Sequence, residues 1–276
     1  MTRPADASSD GALVARLRAA GCVWAEDEAA LLQEAVRSRA ELDDLVARRV
    51  AGEPLELVLG WVGFLGHRLA VAPGVFVPRR RTELLARTAL DHAARRDRPV
   101  VVEMCCGVAP VAACFAGPGH ETVDVHAADL SQDALECARH NAPRARLHLG
   151  DLYDALPVAL AGRVDVLAAN APYVPTDRIA SMPPEARDHE PRAALDGGAE
   201  GVDLHRRLAA GSVRWLAPGG VLLVETSPGQ APLTTAAMTA AGLATEVLVD
   251  DEVGGCVAVG RLPGGGDLSR RAAARA

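Results

Sequence analysis

Apolar positions follow three regimes along the chain, and each predicts a different layer of structure. From Gly11 to Arg49 they recur at helical spacing, as Leu13-Val14-Leu17 and as Leu31-Leu32-Val36 continuing to Leu42-Leu45-Val46, which predicts a small amino-terminal helical cap. Ahead of it Met1–Asp10 is small and polar and is expected to be disordered. Between Leu55 and Val77 the period shortens to two, through Leu57, Leu59 and Trp61 and then Leu69, Val71, Val75 and Val77, the pattern of a β-hairpin. From Arg79 onward short β-branched runs alternate with helix-like stretches, as the α/β class with a doubly wound, mostly parallel sheet demands. The predicted strands are Val100–Glu103, His126–Asp129, Leu147–Leu149, Val164–Leu167 and Val221–Glu225, closed by a pair, Ala244–Val249 and Cys256–Arg261. The chain thus divides into a cap (1–50), a hairpin linker and cofactor cover (51–80), a catalytic α/β domain (81–262) and a flexible tail (263–276), with no internal repeat.

The strand ends carry the candidate chemistry. Val100-Val101-Val102-Glu103 runs into the small-residue loop Met104-Cys105-Cys106-Gly107-Val108-Ala109-Pro110 and then into a helix-like stretch from about Val111. Strand, tight loop, helix is the first half of a nucleotide-binding βαβ unit, in which backbone approaches a ligand at the strand's carboxyl end. A second strand ends at Asp129, placed to bond the vicinal hydroxyls of a ribose, and a third leads into Gly150-Asp151-Leu152. A fourth, Asp165-Val166-Leu167, leads into Asn170-Ala171-Pro172-Tyr173. Pro172 has no N–H and biases Ala171 toward extended backbone, so the carbonyls around it stay free to accept from a ligand. An amide side chain, free carbonyls and a flat ring at one spot form a clamp for a planar NH-bearing group. An Asn-x-Pro turn alone would carry no such meaning; the ordered series of acids upstream does.

Together these residues resemble a class I S-adenosylmethionine-dependent methyltransferase. Arg48–Leu55, Val71–Arg79, Thr82–Leu85, His189–Gly198, Leu216–Gly220 and Leu223–Glu225 narrow the resemblance to the HemK/PrmC-like protein-(glutamine-N5) methyltransferases. The resemblance implies S-adenosyl-L-methionine as cofactor, with Glu103 near its amino-acid end, Asp129 on the ribose and Asp151 at the adenine amino group. Cys105, Gly107, Leu130, Leu152 and Asn170 complete the implied cofactor surroundings. It also implies that Asn170 and the Ala171 carbonyl orient the acceptor nitrogen, with Pro172 and Tyr173 completing the catalytic clamp. Phe76, Tyr173 and Glu190 are the residues expected against the acceptor, Glu190 either touching it or merely holding structure.

Three departures bear on function. Val108-Ala109-Pro110 stands where the family usually has further glycines or Ser-Gly; the Cβ of Ala109 restricts positive φ, although proline at a first helical position is tolerated. Ala171 replaces the first proline of the family's Asn-Pro-Pro-Tyr but still supplies a carbonyl. The amino-terminal module is short, about 50 residues. Two acceptors therefore fit: a small aromatic metabolite of indole type, which the short cap and altered loop favour, and a glutamine in a protein loop such as a release factor or ribosomal protein. A regulator that binds cofactor without methyl transfer is set aside because the clamp is intact.

Composition limits the partners. A net charge of −7 argues against nucleic acid, since phosphate binding rests on a basic surface. The cluster Arg79-Arg80-Arg81 with Arg87, Arg95, Arg96 and Arg98 is expected to be a solvated face. The six cysteines show no Cys-x-x-Cys spacing and no signal peptide opens the chain, so reduced thiols and a cytoplasmic protein are expected. Cys105 and Cys106 are expected to pack as small apolar residues rather than act as nucleophiles or ligands. His126 and His148 are expected in core or edge positions, with no metal site, and Trp61 and Trp215 in the core. Asp165 is expected to anchor the clamp. No apolar run approaches the 18 residues of a membrane span.

Overall fold

The computed structural model describes residues 7–264. Helices α1 (Ala7–Ala19), α2 (Ala25–Ala35) and α3 (Arg39–Val50) form the cap around Leu13, Leu17, Ala25, Leu32 and Val46. The two apolar stretches expected there resolve into three helices, because the chain breaks after Ala35 and Ser38 restarts it by accepting from the Glu41 N–H at 3.2 Å. The disorder expected through Asp10 is corrected for Ala7–Asp10, which begin α1; Met1–Asp6 lie outside the described residues. So do residues 265–276 of the expected tail.

The hairpin is shorter than its alternation suggested. Only β1 (Trp61–Phe64) and β2 (His67–Ala70) pair, in antiparallel register from Trp61 opposite Ala70 to Phe64 opposite His67. Leu55–Leu59 is instead one helical turn, α4, opened by Pro54 and closed by Gly60 at φ 77°, a left-handed value that glycine adopts without a Cβ penalty. Beyond Ala70 the chain runs as coil to a 3-10 turn at Arg80–Thr82.

Helix α5 (Glu83–Ala93) leads into the sheet, built from β3 (Val100–Met104), β4 (Asp124–Asp129), β5 (Arg146–Leu149), β6 (Val164–Ala169), β7 (Leu216–Glu225), β8 (Ala244–Asp250) and β9 (Gly255–Arg261). Its order is β5-β4-β3-β6-β7-β9-β8. The first five strands are parallel; β9 is antiparallel to β7 and β8, as expected of the closing pair. Between them lie α6 (Pro110–Ala113), α7 (Gln132–Asn141), α8 (Pro184–His189), α9 (Asp203–Trp215) and α10 (Ala231–Ala240). The helix expected from about Val111 is this single turn, α6.

Both faces of the sheet are covered, which is why its strands read as continuous apolar runs. Val101, Ala127, Val166 and Leu223 pack on the side of α5 and α7, and Val102, Ala128, Leu167 and Val224 on the side that buries Leu208, Trp215 and Met238. Met104 pairs with Ala128 and Ala169, and Ala169 with Val224, so the carboxyl ends of β3, β4, β6 and β7 are level. Chain order reverses between β3 and β6, and a crevice there is where such sheets bind ligands.

Two single residues, Asp165 and Trp61, differ from expectation. Asp165 sits at the opposite end of β6 from the clamp; its Oδ2 accepts from the Val100 N–H at 3.0 Å and its Oδ1 faces Arg96 at 3.5 Å, so it fixes the start of β3. Trp215 is core and stacks on Tyr153, but Trp61 is half-buried on the hairpin with the Arg68 guanidinium 4.2 Å above its ring. His126 and His148 stack, with ring nitrogens 2.8 Å apart, and burial lowers the pKa of both. Among the described residues no group of three or more His, Cys, Asp or Glu could hold a metal ion, and no helix is long and apolar enough to cross a membrane.

Candidate active site

A cavity of about 680 Å³ lies along the carboxyl edge of the sheet, at the crevice where chain order reverses. Every residue expected from the sequence at the cofactor or acceptor lines it: Phe76, Glu103, Cys105, Gly107, Asp129, Leu130, Asp151, Leu152, Asn170, Ala171, Pro172, Tyr173 and Glu190.

The loop after β3 is built on three left-handed residues, Cys105 at φ 52°, Gly107 at 53° and Ala109 at 60°. Ala109 therefore adopts the conformation its Cβ disfavours, at a cost of about 1–2 kcal/mol, and the surrounding bonds hold it there. Its N–H reaches Cys106 O at 2.7 Å, and both oxygens of Glu103 accept from the start of α6, Val111 N at 3.1 Å and Ala112 N at 2.7 Å. Glu103 thus pins the loop to its helix; burial pushes its carboxyl up to about 8, opposed by those two donors. Asp129 works similarly, its Oδ2 accepting from Gly107 N and its Oδ1 from Ser131 N, each at 2.8 Å. Burial raises the thiol pKa of both Cys105 and Cys106, which disfavours their thiolate forms.

This half of the cavity fits the implied cofactor. A Cβ built on Gly107 meets nothing within 4 Å, so open space adjoins the loop. Each Asp129 oxygen has used one acceptor site on backbone and keeps another. Leu130 presents an apolar side chain that is 68% exposed, a flat patch for an adenine ring, between Asp129 and the Asp151-Leu152 turn. Asp151 itself is held by Arg207 at 2.7 Å.

The clamp follows the last residue of β6. The Asn170 Nδ2 donates to Thr82 Oγ1 at 3.3 Å, and Oδ1 is the acceptor end of the same amide. The carbonyl oxygens of Asn170 and Ala171 take part in no turn, cap or loop hydrogen bond of the described residues. Tyr173 is fixed at both ends: its hydroxyl donates to Glu225 Oε1 at 3.1 Å and its carbonyl accepts from Gln230 Nε2 at 2.8 Å. Burial pushes its phenol well above the usual range. Gly197 and Gly201 lie directly against its backbone, where a Cβ would come within 2.7 Å of Tyr173 Cα and 2.3 Å of Tyr173 O. The Asp-Gly-Gly and following glycine in the sequence were the signal for this support.

Of the expected solvated arginine face, Arg80, Arg87, Arg95 and Arg98 are exposed, but Arg79 and Arg81 are turned inward, contrary to expectation. Arg79 donates to Glu190 Oε1 at 2.5 Å, and Arg81 Nε to Glu225 Oε1 at 3.1 Å; both guanidinium groups line the cavity. Glu225 is fully buried and Glu190 nearly so, and such carboxylates require a cation or donors. Glu190 also accepts from Val77 N at 3.3 Å and has its pKa raised by burial, against the pull of Arg79. It therefore ties the segment around α8 to the chain before Arg79. That segment carries Met182, Pro183, Glu185 and Ala186 into the cavity wall, residues without a sequence signal of their own.

Fold and cavity define a class I S-adenosylmethionine-dependent methyltransferase. No family model matches the chain. It is 41% identical over 196 residues to the release factor glutamine methyltransferase of Streptomyces coelicolor, covering 68% of this chain and 69% of that protein. It is 39% identical over 206 residues to a 4-amino-L-phenylalanine/4-methylamino-L-phenylalanine methyltransferase of Streptomyces pristinaespiralis, covering 71% and 69%. The structure of a methyltransferase from Pyrococcus furiosus superposes with a TM-score of 0.51 at 15% identity, over 83% of this chain and all of that one, a likeness of fold. The chain belongs to the release factor glutamine methyltransferase family, and S-adenosyl-L-methionine is its cofactor.

Proposed function

We propose that this protein transfers the methyl group of S-adenosylmethionine to the side-chain nitrogen of a glutamine in a protein loop, a release factor being the acceptor its relatives support. The observation that carries the chemistry is the clamp: Asn170 with its Nδ2 on Thr82, carbonyls that enter no turn, cap or loop hydrogen bond among the described residues, and a braced Tyr173. A carboxamide nitrogen is a weak nucleophile because its lone pair is delocalised. Asn170 Oδ1 and the Ala171 carbonyl accept its two N–H bonds and turn the nitrogen's face toward the methyl, so that catalysis comes chiefly from positioning. When bound, the cofactor would supply a methyl on a cationic sulfur. As the N–CH3 bond forms the S–CH3 bond breaks, the neutral thioether S-adenosylhomocysteine leaves, and the amide nitrogen gives up one N–H proton to water. Asp129 holds the ribose, Leu130 and Asp151 the adenine, and the Gly107 loop the amino-acid end. Tyr173 flanks the amide and Phe76 helps exclude water. Such an enzyme works in the cytoplasm.

The indole-type acceptor expected from the sequence gains no support from these relatives. A clamp for a planar NH group does not distinguish an indole from an amide, and departures from a family pattern locate divergence without naming a substrate. A second reading, an arylamine on a free amino acid, is favoured by the aminophenylalanine relative. Incubating the protein with labelled S-adenosylmethionine and, separately, release factor, 4-amino-L-phenylalanine and an indole set tests these readings. Methylation of a release-factor glutamine, abolished by Asn170→Ala with cofactor affinity retained, is expected; methylation of small aromatics alone would overturn the glutamine reading.

A further inference from the structure

Thr82 occupies the position before the first residue of α5. A threonine there ordinarily accepts a backbone N–H from the helix's first turn. It makes no such bond, because its backbone is already helical, at φ −67° and ψ −15°, rather than extended. The hydroxyl is instead spent on Asn170 Nδ2, in a residue that is 1% exposed and lines the cavity. Burying a hydroxyl away from the helix it could cap is unfavourable unless another donor or acceptor claims it.

The claim matters for Asn170. A carboxamide has a donor end and an acceptor end of nearly equal shape, and a half-turn exchanges them with little steric resistance. Only the acceptor end can orient an N–H-bearing substrate. We propose that Thr82 is a positioning residue for methyl transfer: its hydroxyl, bonded to Asn170 Nδ2, holds the side-chain amide in place with Oδ1 turned to the acceptor nitrogen. The inference rests on the reading of Asn170 given above. The adjoining Arg81 braces the other end of the clamp through Glu225, so a single 3-10 turn supports both Asn170 and Tyr173. The Arg81 guanidinium also lies 5.7 Å from the Tyr173 ring centre.

The test compares Thr82→Val, which keeps the shape and removes the hydroxyl, with Thr82→Ser, which keeps the hydroxyl. Single-turnover methylation of release factor is measured at saturating cofactor, alongside calorimetric cofactor affinity and acceptor KM. Thr82→Val is expected to slow the methyl-transfer step about 10- to 100-fold, the scale of a misoriented reacting pair. Cofactor affinity and KM stay within about twofold, and Thr82→Ser restores most of the rate. A wild-type rate in Thr82→Val, equal losses in both variants, or a loss residing in cofactor affinity would each overturn the proposal. Asn170→Ala is run in parallel. If it is inactive while Thr82→Val is active, only the positioning role falls; if Asn170→Ala is itself active, the clamp reading falls and takes this inference with it.

Discussion

Glu225 sits fully buried at the end of β7, and two donors reach it, the Tyr173 hydroxyl and Arg81 Nε, both at Oε1; its Oε2 has no partner among the described residues. A buried carboxylate with so few donors is sensitive to losing one. Tyr173→Phe keeps the aromatic face against the acceptor and removes a hydrogen bond to a charged group, so it should cost about 1–3 kcal/mol of stability in urea unfolding. Acceptor KM should stay near wild type, because the hydroxyl is turned to Glu225 rather than to the acceptor. A large rise in KM with unchanged stability would show that the phenol oxygen faces the substrate. None of this was legible locally. Arg81 and Glu225 are 144 positions apart, Arg79 and Glu190 111, and a run of arginines in sequence carries no sign of the carboxylates that will meet it.

At the scale of elements, legibility followed the range of the interactions. The strands were readable because β-branched runs ending in acids are local features, and Asn170–Tyr173 could be placed because β6 leads straight into it. The one-turn helix α4 was missed because Leu57, Leu59 and Trp61 alternate as a strand would, although Pro54 and Gly60 bracketed the helix in plain view. The junction between cap and catalytic domain was invisible for the reason the arginine pairs were. Arg49 of α3 is 9% exposed and donates to Glu28 of α2 at 2.7 and 3.2 Å, and to Glu185 of α8 at 2.8 Å. Desolvation works against its charge and the Glu28 hydrogen bonds restore it, leaving its pKa above normal. Arg49→Leu strands the buried Glu28 carboxylate and should destabilise the cap by about 3–5 kcal/mol. Glu185 has a half-exposed side chain, so Glu185→Gln should cost under about 1 kcal/mol. Hydrogen exchange in α2 and α3 separates the two: protection should collapse in the first variant only, and equal loss in both would mean that α8 holds the cap.

For the molecule as a whole, the cap keeps its own small core, each face of the sheet buries an apolar cluster, and the buried hydroxyls of Thr226 and Thr234 form a small polar layer. His205 of α9 belongs to that layer. It is fully buried, its Nδ1 pairs with Thr234 Oγ1 at 2.9 Å, its Nε2 has no partner among the described residues, and its ring lies 6.2 Å from that of Tyr173. Burial lowers its pKa to about 4. The native state therefore stays unprotonated where the unfolded chain, titrating near 6.5, takes up a proton, and stability falls as pH drops from about 6.5 toward 4. Between pH 7 and pH 5 this one group should remove about 2 kcal/mol, because each tenfold difference in proton affinity between the two states is worth roughly 1.4 kcal/mol. His126 and His148, also lowered by burial, act in the same direction, so wild type alone cannot isolate the contribution of His205. His205→Gln can, because it retains a polar reach toward Thr234 but does not titrate. Urea unfolding at pH 7 and pH 5 should show the variant losing about 2 kcal/mol less than wild type over that interval, whatever its absolute stability. Parallel losses in the two proteins would mean that His205 already carries a proton in the folded state, paired with a group such as the free oxygen of Glu225.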